Sequence, residues 1–363
     1  MLSGVFFCVS ILGARVIATS TIRSAFTGRD NRFTPIRFVL ASMVMLEHVF
    51  VVIRGPELSP LIAANGWSAG YLAVNGFFIL SGFLIADSLE RRSDAKAFAL
   101  ARFLRIIPAL VVLALLATLA IGPLVTSLPP AQYWSSATTW LYAPNVLAFA
   151  DTSGGPAGIF TSNPAEGEFS ATLWTLRYEV LAYAAAALLF FTRFVWGRWP
   201  ILGLFIAGTA VYLAIRLLWP DAPAMITHGG RFGSVFLLGM VIHQFRDRLP
   251  ITILPVILLL PIAILMGDHA LSELFWNGVL AVLIFWAGFA ALERLPSGAR
   301  IPDWSYGIYI WHYPVMQSLW HFDVARSPLE LAAYGIPLSL AVAAASWHLI
   351  ERPALGLKFK LGG

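Results

Sequence analysis

Ile36-Arg37-Phe38-Val39-Leu40-Ala41-Ser42-Met43-Val44-Met45-Leu46-Glu47-His48-Val49-Phe50 places ionisable groups inside an otherwise apolar run. The run is continuous rather than alternating, so it reads as helix. Eleven residues separate Arg37 from His48, nearly three helical turns, which sets both side chains on one face about 16 Å apart along the axis. Glu47, about 100° round from His48, is expected to point elsewhere. In a bilayer whose apolar core is about 30 Å thick, Arg37 would lie near one surface and His48 well inside. An ionisable group at that depth is costly to hold, and is read first as a functional one.

The rest of the chain has the same character. Of its 363 residues, 59% are hydrophobic and 12% charged, a balance foreign to soluble domains of this length. Long apolar runs, rather than short alternating ones, exclude a barrel. The expected fold is an all-α polytopic integral membrane protein with about ten transmembrane helices, near residues 33–53, 70–88, 103–125, 174–191, 201–218, 232–245, 251–266, 274–292, 305–320 and 331–350. Lys and Arg gather in alternate connections, which by the positive-inside rule makes both termini cytoplasmic. Residues 1–31 read as a cytoplasmic or interfacial lead-in, 32–353 as one transmembrane domain and 354–363 as a cytoplasmic tail. The segment 126–171 has no Lys or Arg, so it belongs outside, and its length suits a functional loop.

Net charge is +5, but the basic residues are dispersed among short loops, so the charge reports topology and no nucleic-acid partner is expected. Cys8 is the one cysteine, which excludes an internal disulfide framework. None of the histidines has a His or Cys neighbour at metal-ligand spacing, and no metal is expected.

Four further stretches could carry chemistry. Arg102 and Arg105, at i and i+3, form a pair of guanidinium forks suited to phosphate oxygens, or ordinary positive-inside decoration. Val74-Asn75-Gly76-Phe77-Phe78-Ile79-Leu80-Ser81-Gly82-Phe83 would let either another helix or an extended ligand arm approach the backbone. Trp174-Thr175-Leu176-Arg177-Tyr178-Glu179 opens a span with an aromatic belt and a carboxylate that needs a partner. Ser305-Tyr306-Gly307-Ile308-Tyr309-Ile310-Trp311-His312-Tyr313-Pro314 offers groups that stack on sugars and bond to hydroxyls, or a belt followed by a proline kink. His48 itself could act as a base, carry an acyl group, or simply tie two helices together.

In this order the stretches resemble the membrane acyltransferase-3 family, whose members O-acylate bacterial surface and secreted carbohydrates. Arg37 and His48 resemble its Arg-x10-His, Phe77-Phe78-x-x-Ser81-Gly82-Phe83 its second-helix motif, and Arg102-x-x-Arg105 its arginine pair. The Trp174 to Glu179 and Ser305 to Pro314 stretches are similar to two later motifs, and Glu351-Arg352-Pro353 to the usual ending. Asn75 stands where many members have Asp, so a carboxylate there cannot be essential to this chain. The resemblance implies an acyltransferase of the bacterial inner membrane that moves an acyl group, most often acetyl, from cytoplasmic acyl-CoA to a hydroxyl of a carbohydrate or glycolipid. It implies His48 and Glu179 as catalytic residues, and Arg37, Arg102, Arg105 and Ser81 as donor-binding ones. Asn75, Trp174, Tyr178, Tyr309 and His312 are the implied acceptor-side residues. Succinyl or longer-acyl transfer, and carbohydrate or lipid transport without acyl transfer, remain as alternative readings.

Overall fold

The computed structural model describes residues 20–26, 31–55, 67–91, 94–150, 153–289 and 301–361, with side chains to 357. Its helices are α1 (Phe33–Arg54), α2 (Ala69–Arg91), α3 (Ala95–Val125), α4 (Pro130–Ser135), α5 (Ala137–Leu147), α6 (Trp174–Thr192), α7 (Arg198–Leu218), α8 (Ala224–Gln244), α9 (Leu254–Leu265), α10 (Ser272–Phe289), α11 (Ser305–His321) and α12 (Pro328–Leu357). Helices occupy all ten expected positions. Eight are long and apolar enough to cross a membrane by length and composition; α9, with 12 residues, and α11, with 17, are shorter. The chain is a multi-pass membrane protein. Among the described residues there are no strands, only the isolated bridges Thr21↔Pro250 and Thr126↔Ile159.

Local chemistry explains several boundaries. Asp94 caps α3, accepting from the backbone N–H groups of Lys96 at 3.0 Å and Ala97 at 3.2 Å, which satisfies donors that a helix start leaves orphaned. Further along, α3 widens into a π turn at Ala117–Ile121, and the Tyr133 hydroxyl donates to the Thr118 carbonyl at 2.7 Å. A neighbouring helix thus supplies the partner that the widened turn needs. The final helix does not stop near residue 350 as expected, but continues through Leu357. A π turn at Trp347–Glu351 ends two residues before Pro353, where the missing N–H would break the regular ladder in any case.

The segment 126–171, expected as a loop, contains α4 and α5. Pro130 begins α4, a first-turn place where its fixed φ and missing N–H cost nothing, and α5 lies against α3. Beyond them the chain folds inward. Asn163 Nδ2 donates to the Gln317 backbone carbonyl at 2.9 Å, Gln317 Nε2 to the Ala165 carbonyl at 2.7 Å, and the Tyr313 hydroxyl to Glu168 Oε2 at 2.6 Å. These bonds dock the segment on one end of α11. Most of the 1–31 lead-in lies outside the described residues. Its residues 20–26 are docked through backbone bonds from Ile22 N to Leu249 O at 3.0 Å and Arg23 N to Arg246 O at 2.8 Å.

The centre of the bundle is α2. In its most apolar stretch 61% of residues are buried, against 17% in α7, which runs along the periphery. Phe33, Phe83, Phe285 and Phe289 interlock where α1, α2 and α10 meet. Along its other side α2 meets α8 so closely that a Cβ on Gly82 would stand 2.0 Å from the Phe236 carbonyl oxygen, and one on Gly239 would stand 2.0 Å from that of Ile79. Of the two uses expected for the small residues of α2, Gly82 therefore serves helix approach. Gly82→Ala and Gly239→Ala should each lower the thermal melting of the detergent-solubilised protein, by an amount corresponding to about 1–3 kcal/mol, because the two backbones must move apart. Unchanged melting would show that the contact is not needed.

Candidate active site

Both residues of the opening stretch find partners on or beside α11. His48 Nδ1 lies 2.7 Å from His312 Nε2, with the rings stacked at 5.0 Å between centroids. His312 is fully buried, and its Nδ1 lies 2.7 Å from the Ile308 carbonyl oxygen. A carbonyl only accepts, so this Nδ1 carries the proton; in a neutral ring Nε2 is then an acceptor. His48 must donate from Nδ1, which leaves the lone pair on its Nε2. Tyr313, edge-on to His48 at 5.1 Å, helps to fix the plane of the ring.

His48 lines a cavity of about 170 Å³ together with Glu47, Ser68, Trp174, Arg231 and Tyr309. A second cavity, of about 130 Å³, has Arg37, Ser81, Arg102, Arg105, Glu179 and Tyr183 in its wall. The two have Val74, Thr175 and Tyr309 in common. The hydroxyls of Thr175 and Tyr309, in the wall common to both, are hydrogen-bonded at 2.6 Å, so a histidine chamber and an arginine chamber meet at this pair.

The arginines are not equivalent. Arg37 and Arg105 both reach Asp303 Oδ2, at 2.9 and 2.8 Å, and Arg105 also lies 3.6 Å from Glu351 Oε2. Arg102 sits over the Phe98 and Tyr183 rings, and its Nε has no hydrogen-bond partner among the described residues. Burial alone would raise the Asp303 carboxyl, but Arg105 and Arg37, assisted by Ser305, hold it down at about 2. Its folded value is thus below the ordinary one near 3.9. The resulting stabilisation is present above about pH 4 and is lost as pH falls towards 2. Asp303→Ala should lower stability by about 3–5 kcal/mol, since two largely buried guanidinium groups lose their shared counter-charge. Thermal melting near pH 7 measures it, and a melt within a degree or two of wild type would show the clamp to be dispensable.

Glu179 accepts from the Tyr183 hydroxyl and faces the arginine chamber. The side chain hydrogen-bonded to His48 is that of His312. Ser81, Trp174 and Tyr309 lie in chamber walls. Asn75 does not. It is fully buried beside the histidine chamber, where Nδ2 donates to Glu273 Oε1 at 3.0 Å and Asn277 Oδ1 at 2.8 Å, while Oδ1 accepts from Arg231 Nε at 2.8 Å. An aspartate there would set two carboxylates about 3 Å apart, so the amide suits this network. Tyr178 also lies behind the chamber, packed on Trp174 and Phe232.

Sequence reasoning missed Asp303, Arg231 and Glu273, and assigned Glu47 to another face. The signals were slight: one acid before Ser305, one arginine at the start of an apolar run, one acid in another. Among the described residues no group of three or more His, Cys, Asp or Glu side chains is arranged to hold a metal ion.

A family model described as an acyltransferase domain matches residues 33–348. The chain is similar to Nodulation protein 10 of Rhizobium leguminosarum bv. viciae, at 27% identity with 92% of this chain and 96% of the relative covered. It is also similar to the exopolysaccharide production protein ExoZ of Rhizobium meliloti (strain 1021), at 27% identity with 80% and 90% covered. An O-acetyl transferase of Shigella phage Sf6 is 25% identical, with 89% and 96% covered. No solved structure matches the chain.

Proposed function

The chain belongs to the acyltransferase-3 family, and from that premise we propose that it moves an acyl group, acetyl first among the candidates, from acyl-CoA to a carbohydrate hydroxyl at the bacterial inner membrane. It is an acyltransferase; the donor, the acceptor and the residue roles are the proposal. The observation that carries it is the pair of chambers meeting at Thr175 and Tyr309, one lined with arginines and the other with a histidine whose Nε2 is left as an acceptor. Names of relatives that mention exopolysaccharide production and O-acetyl transfer add support for the acceptor class.

Arg102, with Arg37 and Arg105, would hold the phosphates of coenzyme A, and the pantetheine arm would pass Ser81 towards the Thr175 and Tyr309 pair. In direct transfer, His48 Nε2 takes the proton of the acceptor hydroxyl as its oxygen forms a bond to the thioester carbonyl carbon. The carbon–sulfur bond then breaks, and the thiolate leaves to be protonated as free coenzyme A. In the two-step form, His48 Nε2 attacks the thioester carbonyl carbon and the carbon–sulfur bond breaks with loss of the coenzyme A thiolate; the acceptor oxygen then takes the acyl group as the carbon–nitrogen bond breaks, and its proton passes to the thiolate or to solvent. His312 positions the ring by accepting from Nδ1, and Glu179 would neutralise part of the arginine chamber once the donor has left. The domain is residues 32–353, with 1–31 and 354–363 as cytoplasmic flanks.

Mass spectrometry of surface glycans and glycolipids from a strain lacking the gene tests the reading. A missing acyl mass on a sugar residue is expected. An unaltered acylation pattern, together with no thiol release from acetyl-CoA by the purified protein, overturns it.

A further inference from the structure

Glu47 lines the same chamber as His48, although helical geometry alone would send it to another face. The mechanism proposed above leaves it unused. Its Oε2 accepts from the Gly70 backbone N–H at 2.5 Å, in the first turn of α2, where a carboxylate is favoured by unpaired donors and the helix dipole. Among the described residues Oε1 accepts no hydrogen bond. One oxygen is therefore held by the backbone of a residue in the chamber wall, and among the described residues the other is left without a hydrogen-bond partner.

The chamber also contains Arg231, which could offset that charge, but Arg231 is already engaged. Its Nε donates to Asn75, its Nη2 donates to the Tyr71 carbonyl at 2.8 Å, its guanidinium carbon lies 3.2 Å from the centre of the Tyr71 ring, and Glu273 lies 3.8 Å away. Among the described residues no ion pair includes Glu47, so the chamber keeps a carboxylate without a counter-charge of its own, whereas Arg231 is matched by Glu273. Trp174, half-buried and supported from behind by His228 and Phe232, gives the chamber an aromatic wall for the C–H face of a pyranose ring.

We infer that Glu47 is an acceptor-binding and specificity-determining residue. Its free carboxylate oxygen takes a hydroxyl of a neutral sugar residue, and it disfavours acceptors that carry a carboxylate or phosphate on the ring being acylated. The inference rests on the acyl-transfer reading and adds the charge class of the acceptor to it.

Glu47→Gln separates this role from a structural one. The Gln carbonyl can still accept from Gly70, but the oxygen in the chamber is replaced by an NH2 donor. The full chain in lipid nanodiscs is assayed with acetyl-CoA and methyl glycosides of glucose, galactose and mannose, each beside its uronate counterpart, by thiol release and product mass. Wild type is expected to favour the neutral sugars. Glu47→Gln should raise the acceptor KM about ten- to a hundredfold, as for loss of a hydrogen bond to a charged group, and should shrink the preference over uronates. The acetyl-CoA KM and the thermal melt should stay unchanged. Gly70→Ala should move the acceptor KM in the same direction, because the added Cβ would stand 2.8 Å from Glu47 Oε2 and displace the flexible carboxylate tip. A wild-type preference for uronates, or an unchanged preference in Glu47→Gln, overturns the inference while leaving acyl transfer intact. Absence of thiol release with every glycoside, and of acylated product, removes the acyl-transfer reading and this inference with it.

Discussion

His48→Ala should reduce acyl transfer by about 10²- to 10⁴-fold, the range that a positioned general base contributes, while the protein melts at its usual temperature and binds acetyl-CoA as before. The size follows from the geometry of the pair. His312 has its Nδ1 committed to the Ile308 carbonyl and is fully buried, so it cannot reach the chamber to replace the lost imidazole. Thiol release measured with and without acceptor checks the result, and near-normal turnover would remove His48 from the reaction. His312→Ala should have a smaller effect on the same rate, because it loosens the His48 ring without deleting Nε2. A radiolabelled acyl group trapped on His48 in the absence of acceptor would identify the two-step form; its absence under rapid quenching, with normal single-turnover transfer, would identify the direct one.

Arg102→Gln should raise the KM for acetyl-CoA about ten- to a hundredfold, the equivalent of one lost hydrogen bond between charged groups at about 1.5–3 kcal/mol. The acceptor KM should not move. Arg105→Gln should change two quantities together, because Arg105 also bonds to Asp303 and faces Glu351; its melting temperature should fall along with its donor affinity. The sharper measurement uses acetyl-pantetheine, which has the thioester but no nucleotide phosphates. If Arg102 acts on phosphate, wild type and Arg102→Gln should handle this short donor equally. A persistent gap between them would mean that the arginine acts on the fold instead.

Much of the architecture was legible because lipid solvent leaves a strong mark on sequence: ten apolar runs, and ten helices where they were expected. Boundaries followed local rules less faithfully. α12 passes through Glu351-Arg352-Pro353 by way of a π turn, and α4 and α5 fill a stretch whose Gly, Pro and Ser residues read as loop. Within the site, the arginine pair, Ser81, Trp174 and Tyr309 were visible as motifs. The partners that give them meaning were not. Asp303 is 266 positions from Arg37 and His312 is 264 from His48, separations over which no periodicity carries information. Glu47 shows the limit of the helical-wheel argument. A rotation of about 100° separates side-chain directions at the backbone, yet a chamber bounded by α1, α2, α6, α8 and α11 is wide enough to include both neighbours.

The hydrogen-bonded hydroxyls of Thr175 and Tyr309 bear on the energetics of the cell as well as on chemistry. A membrane that stores work as an electrical potential loses about 2.3 kcal/mol for every charge that leaks across 100 mV. A protein that opened one continuous water column between its donor and acceptor sides would short-circuit that store. Two small cavities that share a wall at a hydrogen-bonded pair, rather than one open bore, are compatible with that requirement. The acyl transfer proposed above, which moves an uncharged group, asks for no such column.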